Sequence, residues 1–199
     1  METNIMNCLE IKEKNSSSKR KVLDKEKVRA EESYKNPPQG FIKLNFDGAA
    51  KGNPGEAGIG GIFRDEEGKI IRAYAMDCGI TTNNEVEYHV LNMVLEIAIR
   101  EGYQRLQIEG DSMLVIETIK QLQQGIPAEK LSKSWRMAWV ITDVEKQLQR
   151  LAYTISPHVK RKGNALANLL TNWGCRNKEH HLDVGEAELN QNEEMNQLE

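Results

Sequence analysis

Apolar and polar residues alternate along the first well-patterned stretch of the chain. From Ile42 to Phe46 every second residue is apolar, which is the period of a strand with one buried face. Two further strands are predicted at about 57–64 and 69–77, and the turn-forming residues 65–68 between them favour a hairpin. The pattern therefore predicts a meander of three strands.

The spacing of apolar residues becomes helical after this meander. Residues 84–101 place Leu91, Val94 and Ala98 on one side of a predicted helix, which Gly102 ends. The elements predicted after it are a strand over 105–111, a helix over 112–124, a long helix over about 131–151, a strand over 152–159 and a helix over 164–174. The order βββαβααβα predicts an α/β fold, with helices packed on the faces of one five-stranded mixed sheet.

The two ends of the chain differ from this patterned part. Residues 1–39 are polar, dense in charge and poor in aromatic residues, which predicts a disordered leader and linker. Residues 177–199 hold seven acids and one base, which predicts a disordered acidic tail. Between them, residues 40–176 form one predicted domain, which is long enough to bury a sizeable core.

Charge and cysteine content exclude several classes of protein. The formal net charge is −3, but residues 41–176 hold 17 basic and 16 acidic residues. The predicted domain is therefore not the basic body of a strong nucleic-acid binder. Cys8, Cys78 and Cys175 are odd in number and widely spaced, which is typical of reduced thiols in an intracellular protein rather than of a disulfide framework.

Targeting signals are sparse in the sequence. It shows no apolar run of membrane-spanning length and no apolar core of a secretory signal. We therefore expect an intracellular protein, in the nucleus or the cytoplasm, without a membrane partner, and no sequence feature indicates oligomerisation. The basic cluster Lys19–Lys21 is open to two interpretations, a solvated run of charge or a nuclear-localisation signal.

Three acids stand where predicted elements begin or end. Asp47 ends the first strand and precedes a turn rich in Gly and Pro, so a purely turn-forming role is the alternative to a functional one. Glu87 lies near the start of a predicted helix, on the stripe that faces the sheet, where an unpaired acid is costly. Asp111 ends a later strand, where α/β sheets gather functional groups, although an N-cap role for it or for Ser112 is also open.

Clustering of these acids would have a chemical consequence. Carboxylates that lie close together raise one another's pKa unless a cation neutralises them. Oxygen ligands of this kind suit Mg²⁺, with Mn²⁺ as a substitute. Two later residues extend the pattern, namely His158, which precedes a basic segment, and Asn168, an amide on the apolar side of the last helix. A structural histidine and a hydrogen-bonded core amide are the alternatives for these two.

Taken together, these stretches resemble the type 1 ribonuclease H family. The most specific parts are Asp47–Gly55, Thr82–Glu87, Gly110–Ser112 and the ten-residue gap from His158 to Asn168, with Asn164 between them. The resemblance extends from about Phe41 to Trp173. The sequence looks most similar to plant ribonuclease H-like domains that are related to the reverse-transcriptase polyproteins of retrotransposons. Because no polymerase motif is present, a free-standing domain is expected.

The resemblance implies a role for each site residue. Asp47, Glu87 and Asp111 match three of the family's four metal-binding acids, and Asn168 stands at the fourth position, where the family has Asp. His158 matches a mobile histidine that assists proton transfer or product release. The residues implied to contact the substrate are Gly48, Asn53, Asn83, Asn84, Ser112 and Asn164.

The implied activity is that of a metal-dependent endonuclease. It would hydrolyse the RNA strand of RNA–DNA hybrids, or act on another nucleic acid, with two Mg²⁺ ions. Hybrids would be recognised through 2′-hydroxyls in a wide, shallow minor groove, so little sequence specificity is expected. The near-neutral charge of the domain predicts modest affinity with a strong salt dependence.

The amide at position 168 keeps a second hypothesis open. With Asn168 the site would hold three carboxylates in place of four, which weakens metal binding. A weakened or inactive module of retroelement origin, which binds nucleic acid or a partner, fits this change. Transposases, integrases and exonucleases share the implied fold, but Glu87, in a first helix after three strands, fits them less well.

Overall fold

The computed structural model describes residues 35–132, 134–178 and 180–186. It begins with an antiparallel meander of three strands, which are β1 (Ile42–Gly52), β2 (Gly55–Arg64) and β3 (Ile70–Thr81). The predicted meander is confirmed, and its strands are longer than the sequence pattern indicated. The parallel strand on the other side of β1 ends at Glu109, opposite Asn45. The extra length of β1 extends it beyond this point, towards the candidate site.

Within the described residues, four helices and three more strands follow the meander. In chain order they are α1 (Asn83–Arg100), β4 (Arg105–Glu109), α2 (Met113–Gln123), α3 (Trp135–Gln149), β5 (Tyr153–Ile155), α4 (Ala165–Gly174) and β6 (Leu182–Gly185). Two short 3₁₀ turns, Ala128–Lys130 and Arg161–Asn164, precede α3 and α4. The sheet order is β5-β4-β1-β2-β3-β6, with β4 parallel to both β1 and β5. None of the helices in the described ranges is long and apolar enough to cross a membrane.

The number of strands corrects the prediction, because the described part of the chain forms six strands and not five. The additional strand, β6, lies in the segment predicted as a disordered acidic tail and pairs antiparallel with β3. Leu182 is buried beneath α4, and the guanidinium of Arg72 donates to both carboxylate oxygens of Asp183 at 2.8 Å. Four residues carry too little periodicity to predict such a strand.

Parts of the predicted organisation lie outside the described residues. Residues 1–34 belong to the predicted leader, and residues 187–199 belong to the predicted tail. The disorder expected there stays a prediction, and so do the predicted limits of the domain.

The sheet carries a different apolar layer on each face. On one face α1, α2 and α3 pack over β1 and β4, around buried side chains such as Phe46, Leu91 and Leu106. On the other face α4 packs over β2 and β3, where Leu170 and Trp173 are buried. Elements of both layers therefore approach β1, which lies near the middle of the sheet.

Glycines in β2 let α4 lie directly on the sheet. A Cβ at Gly60 would lie 2.3 Å from the backbone nitrogen of Thr171, and one at Gly58 would lie 2.4 Å from that of Cys175. The hydroxyl of Thr171 donates a hydrogen bond of 2.7 Å to the carbonyl oxygen of Asp47 in β1. These contacts hold α4 against β1, so the polar residues of α4 come to lie beside Asp47.

Candidate active site

Three carboxylates from three elements meet beside the parallel strands β1 and β4. Asp47 in β1 and Asp111 after β4 each lie two residues beyond Asn45 and Glu109, the last residues that these strands pair in register. Glu87 reaches the same place from the start of α1. One oxygen of each of the three carboxylates lies within 4.8 Å of the other two. The structure thus brings together the three acids that the sequence singled out.

A capping box fixes the start of α1 and thereby the position of Glu87. Thr82 is the N-cap, and its hydroxyl accepts a hydrogen bond of 3.2 Å from the backbone N–H of Glu85. In return the Glu85 carboxylate accepts from the N–H of Thr82 at 3.3 Å. Hydrogen bonds from the hydroxyls of Thr82 and Thr81 hold the pKa of Glu85 below its ordinary value. Glu85 is thus committed to the helix start, and only Glu87 joins the cluster.

Gly48 allows the start of α1 to lie against β1. A Cβ at this position would lie 2.9 Å from the carbonyl oxygen of Val86, and the N–H of Gly48 hydrogen-bonds to the Glu87 carboxylate. The residue is buried against α1, and its expected contact with a substrate stays a prediction. The absence of a side chain at position 48 brings Glu87 towards Asp47.

Asp111 is positioned by close packing around Gly110. A Cβ at Gly110 would lie 2.7 Å from the ring of Phe46, so a larger residue would push Asp111 away from β1. A short parallel bridge pairs Gly110 with His158, and the N–H of Val159 donates to the Gly110 carbonyl at 3.1 Å. Nε2 of His158 lies 3.2 Å from the backbone oxygen of Asp111. The predicted histidine therefore stands, exposed, at the mouth of the site.

Burial and repulsion between charges raise the pKa of Asp47 and that of Glu87. Asp47 is only 4% exposed, and burial, followed by the charge of Asp111, raises its pKa to about 7. Burial, followed by the charges of Asp47 and Asp111, raises the pKa of Glu87 to about 9. Without a cation the cluster therefore retains protons near neutral pH, because three adjacent charges, one of them buried and two half-buried, are costly.

One oxygen of the cluster lacks a hydrogen-bond donor. Oε2 of Glu87 is shielded from solvent and has no hydrogen-bond partner among the described residues. A buried acceptor without a donor is costly, and a cation that prefers oxygen ligands would satisfy it. The donor set therefore fits a hard divalent cation, which Asp47, Glu87 and Asp111 would hold.

Asn168 adjoins the three acids, but it presents its amide nitrogen to them. Its Nδ2 donates to Oδ2 of Asp47 at 3.4 Å, while its Oδ1 accepts from Nδ2 of Asn172 at 3.0 Å. Asn172 also donates to the backbone oxygen of Asn168 at 2.8 Å. A role as metal ligand would need the Asn168 amide to rotate so that Oδ1 faces the site, and Asn172 would have to reorient with it.

Asn164 lies behind the carboxylates rather than on the surface. It is 1% exposed, and its Nδ2 donates to the backbone oxygen of Phe46 at 2.7 Å and to Oδ1 of Asp111 at 3.3 Å. Its expected direct contact with a substrate stays a prediction. The side chain connects the turn before α4 with β1 and with Asp111.

The exposed amides of Asn53, Asn83 and Asn84 form a polar rim next to the acids. The backbone N–H of Ala50 donates to Oδ1 of Asn83 at 2.9 Å, and the N–H of Asn83 donates to Oδ1 of Asn53 at 3.2 Å. These bonds join the β1–β2 turn to the start of α1. Asn83 is about one helical turn from Glu87, so this polar rim borders the cluster.

Ser112 follows Asp111 directly and keeps a place near the acids. It is the half-buried N-cap of α2, but its side chain makes no capping hydrogen bond. Its predicted contact with a substrate stays a prediction.

Two contributors to the site were missed by the sequence analysis. The spacing from Thr82 to Glu85 is that of a capping box, a signal present in the sequence that assigns Glu85 to the helix start. Asn172 lies one helical turn after Asn168, and this spacing permits the contact between their amides without predicting which atoms meet.

A comparison with known protein families agrees with this geometry. The family described as "Reverse transcriptase-like" matches residues 45–174, a range that includes the three acids, His158 and Asn168. The chain belongs to the reverse transcriptase-like family. The predicted resemblance to ribonuclease H-like, reverse-transcriptase-related domains is therefore confirmed.

Relatives of this reverse transcriptase-like chain carry ribonuclease H names. Ribonuclease HI of Halobacterium salinarum is 38% identical over 76 residues, which are 38% of this chain and 38% of that protein. An Arabidopsis thaliana protein with the provisional name of a ribonuclease H protein is 29% identical over 138 residues, which are 69% of this chain and 21% of that protein. The matched part spans less than half the length of each of these two relatives.

Solved structures establish the fold of the reverse transcriptase-like domain. The crystal structure of RNase H1 from Halobacterium salinarum NRC-1 matches with a TM-score of 0.61 and 28% identity, over 69% of this chain and 98% of that chain. LC11-RNase H1, solved in complex with an RNA/DNA hybrid, matches with a TM-score of 0.59 and 28% identity, over 68% and 96% of the two chains. The predicted ribonuclease H-like fold is confirmed.

Proposed function

We propose that this chain is a metal-dependent endonuclease that hydrolyses the RNA strand of RNA–DNA hybrids. The observation that carries the proposal is the meeting of Asp47, Glu87 and Asp111 within 4.8 Å, around a buried oxygen without a donor among the described residues. Such a cluster suits cation-dependent chemistry on a phosphodiester. The ribonuclease H names of the similar proteins support this choice of reaction.

The three acids would hold the metal ions. Carboxylate oxygens suit Mg²⁺, with Mn²⁺ as a substitute. When bound, a pair of such ions activates water for attack and stabilises the leaving 3′-oxygen. Asp47 comes from a buried strand and Glu87 from a capped helix, so rigid elements hold the ligand atoms in place.

His158 would move protons at the mouth of the site. Its ring is exposed, and its Nε2 lies 3.2 Å from the backbone oxygen of Asp111. An imidazole exchanges protons readily near neutral pH, and an exposed one can pass them to solvent. This place suits protonation of the leaving oxygen or assistance in product release.

The polar rim would contact the hybrid. The amides of Asn53, Asn83 and Asn84 are exposed, and such groups can hydrogen-bond to base edges and 2′-hydroxyls in a minor groove. The N–H of Asn83 orders the Asn53 amide and the N–H of Ala50 orders the Asn83 amide before a substrate arrives. LC11-RNase H1, which shares the fold, has been solved with an RNA/DNA hybrid, and this supports the substrate class.

The orientation of Asn168 favours a second candidate function. Its amide nitrogen faces Asp47, so the site holds three carboxylates and one donor. A site with fewer negative charges binds divalent cations less strongly. The second candidate is accordingly a weakened or inactive module of retroelement origin that binds nucleic acid.

Cleavage of a labelled RNA–DNA hybrid separates the two functions. The wild-type chain in Mg²⁺ or Mn²⁺ should shorten the RNA strand and leave RNA–RNA and DNA–DNA duplexes intact. Asp111→Asn should abolish this cleavage, whereas Glu117→Gln, at an exposed acid on α2, should not change it. A wild-type chain that binds the hybrid but leaves it intact in both metals would contradict the endonuclease and favour the binding module.

A further inference from the structure

Three consecutive cations, Lys160, Arg161 and Lys162, lie in the turn before α4, which we call the basic turn. All three residues are exposed. Within the described part of the chain none of their side chains forms an ion pair or a hydrogen bond. The nearest acids along the chain are Glu145 and Glu179, far from the turn in sequence. The turn therefore offers positive charge that no acid close to it in sequence neutralises.

Two anchors hold the basic turn beside the acid site. Before the turn, the N–H of Val159 donates to the carbonyl oxygen of Gly110 at 3.1 Å. After it, Nδ2 of Asn164 donates to the carbonyl oxygen of Phe46 at 2.7 Å and to Oδ1 of Asp111 at 3.3 Å. Gly110 and Phe46 are the residues directly before two of the three clustered acids. Both ends of the turn are thus fixed where those acids lie.

Arg161 is the cation of this turn whose charge reaches the cluster. It lowers the pKa of Asp47, although burial and the charge of Asp111 raise that pKa by more. A hydrogen bond of 2.8 Å from the N–H of Gly163 to the carbonyl oxygen of Lys160 closes the turn around it. Arg161 thus borders the acids while its guanidinium stays exposed.

A counter-ion of Asp47 is the competing role for Arg161. Among the described residues the two side chains form no ion pair, and Asp47 is only 4% exposed, whereas Arg161 is exposed. The carboxylate of Asp47 accepts from Asn168 instead. The guanidinium is therefore not held by the acid and has its donors available for a ligand.

We propose that Arg161 contacts the phosphodiester that lies at the three acids and helps to hold the RNA strand there. This inference rests on the proposed function, which brings a phosphodiester to that place. A guanidinium can donate two parallel N–H bonds to the oxygens of one phosphate. Such a contact positions the backbone without reading its sequence, whereas the polar rim would contact the minor groove.

Binding of a fluorescently labelled RNA–DNA hybrid to the full chain in EDTA tests this contact without cleavage. Arg161→Gln should weaken binding about tenfold and lower the slope of log affinity against log salt by about one. Arg161→Lys keeps the charge but loses the paired donors, so it should retain part of the affinity. Arg150→Gln is the matched control, because it removes the same charge from an exposed residue before β5, at the end away from His158. It should change affinity and slope much less.

Steady-state cleavage in Mg²⁺ adds a second readout. Arg161→Gln should raise the KM for the hybrid about tenfold and leave kcat nearly unchanged, because the contact is present both before and during the reaction. A residue that only stabilised Asp47 would change the pH dependence of unfolding but not the salt dependence of binding. Unchanged melting temperatures of the variants would show an intact fold.

Three results would overturn the proposal. They are an unchanged salt dependence in Arg161→Gln, an equal loss of affinity in Arg150→Gln, and a wild-type chain that does not bind the hybrid in EDTA. Because the binding assay measures no cleavage, a hybrid that is bound through Arg161 but left intact in Mg²⁺ would contradict the nuclease alone. A hybrid that is cleaved equally well by wild type and Arg161→Gln at low substrate concentration would contradict the Arg161 contact alone.

Discussion

Two neighbouring groups of charged residues lie at β1 and β4, and among the described residues only one of them contains an ion pair. In the first, which we call the paired network, Nζ of Lys43 lies 2.9 Å from Oε1 of Glu109, and Asn45 donates to Oε2 at 3.0 Å. Asp47 and Asp111 follow two residues later along the same strands and belong to the acid cluster. A carboxylate is thus paired with a cation at Glu109, whereas two residues further on carboxylates lie next to one another.

The difference lies in the donors that the fold supplies. Glu109 receives hydrogen bonds from Asn45 and Gln107 in addition to its ion pair with Lys43. Oε2 of Glu87 has no hydrogen-bond partner among the described residues. In the described part of the chain the three acids form no ion pair, and Arg161 affects the pKa of Asp47 less than burial and Asp111 do, which favours a metal ion as the missing partner.

Neutralising one acid in each group should have opposite effects. Glu87→Gln should reduce hybrid cleavage to background and should stabilise the metal-free chain by roughly 1–4 kcal/mol at pH 8, because a costly buried acid is removed. Glu109→Gln should destabilise the chain by about 3–5 kcal/mol, because Lys43 stays buried with one negative charge fewer nearby. Urea unfolding in EDTA measures both free energies.

Cleavage per folded molecule completes this pair of variants. Glu109→Gln should keep its activity once folded, because Glu109 does not join the acid cluster. Equal loss of activity in the two variants, or destabilisation by Glu87→Gln, would remove the contrast between the two groups.

The dependence of the free energy of unfolding on pH should reveal the raised pKa values in the acid cluster. The pKa of Asp47 is raised from 3.8 to about 7, and that of Glu87 from 4.5 to about 9. The native state therefore holds protons that the unfolded state has already released, so the free energy of unfolding falls as pH rises from about 4 to 9. Saturating Mg²⁺ should oppose this fall, since it stabilises the ionised acids.

Thermal melts at pH 5 and pH 9, with EDTA or Mg²⁺, measure this dependence. The double variant D47N/E87Q should lose most of the decline in EDTA. A decline of equal size in wild type and double variant would assign the pH dependence to other groups.

The comparison also shows what the sequence could predict. Glu87 and Asp111 were predictable because they lie near element boundaries, where the change of apolar period is visible. Asp47 was singled out as the end of the first strand, but β1 continues past it to Gly52. The paired network was not predictable, because a period of two shows which residues share a face but not that both faces are covered. Lys43, Asn45 and Asp47 share the α4 face of β1, and all three are buried.

Burial was not predictable at two of the expected substrate contacts, and both contacts stay predictions. Gly48 is covered by α1, and Asn164 is only 1% exposed and donates to the backbone oxygen of Phe46. Such burial depends on contacts between distant parts of the chain. The strand β6 was also not predictable from the sequence. Its pairing with β3 depends on the edge that β3 offers rather than on its own four residues.

Asn168→Asp should add a fourth negative charge to the acid cluster. A fourth carboxylate should raise affinity for Mg²⁺ roughly tenfold and increase cleavage most at low Mg²⁺. The metal-free chain should lose about 1 kcal/mol of stability, since the added charge faces Asp47. Asn177→Asp, which adds the same charge beyond the C-terminal end of α4, is the control and should change the affinity for Mg²⁺ less. Calorimetric titration with Mg²⁺ measures the affinity, and equal effects of the two variants would contradict a local role for position 168.

The smallest effect concerns the orientation of the Asn168 amide. Asn172 holds Oδ1 of Asn168 at 3.0 Å and so keeps Nδ2 towards Asp47. Asn172→Ala removes this restraint, and the amide can then rotate its oxygen towards a bound cation. Affinity for Mg²⁺ should rise about two- to threefold, while the metal-free chain loses about 1 kcal/mol with the hydrogen bond. Asn172→Asp provides a useful contrast, because its carboxylate cannot donate to Oδ1 of Asn168 but would accept from a rotated Nδ2. If Asn172→Ala leaves Mg²⁺ affinity unchanged while Asn168→Asp raises it, the amide does not act as a ligand in either orientation, and the added charge alone accounts for the gain.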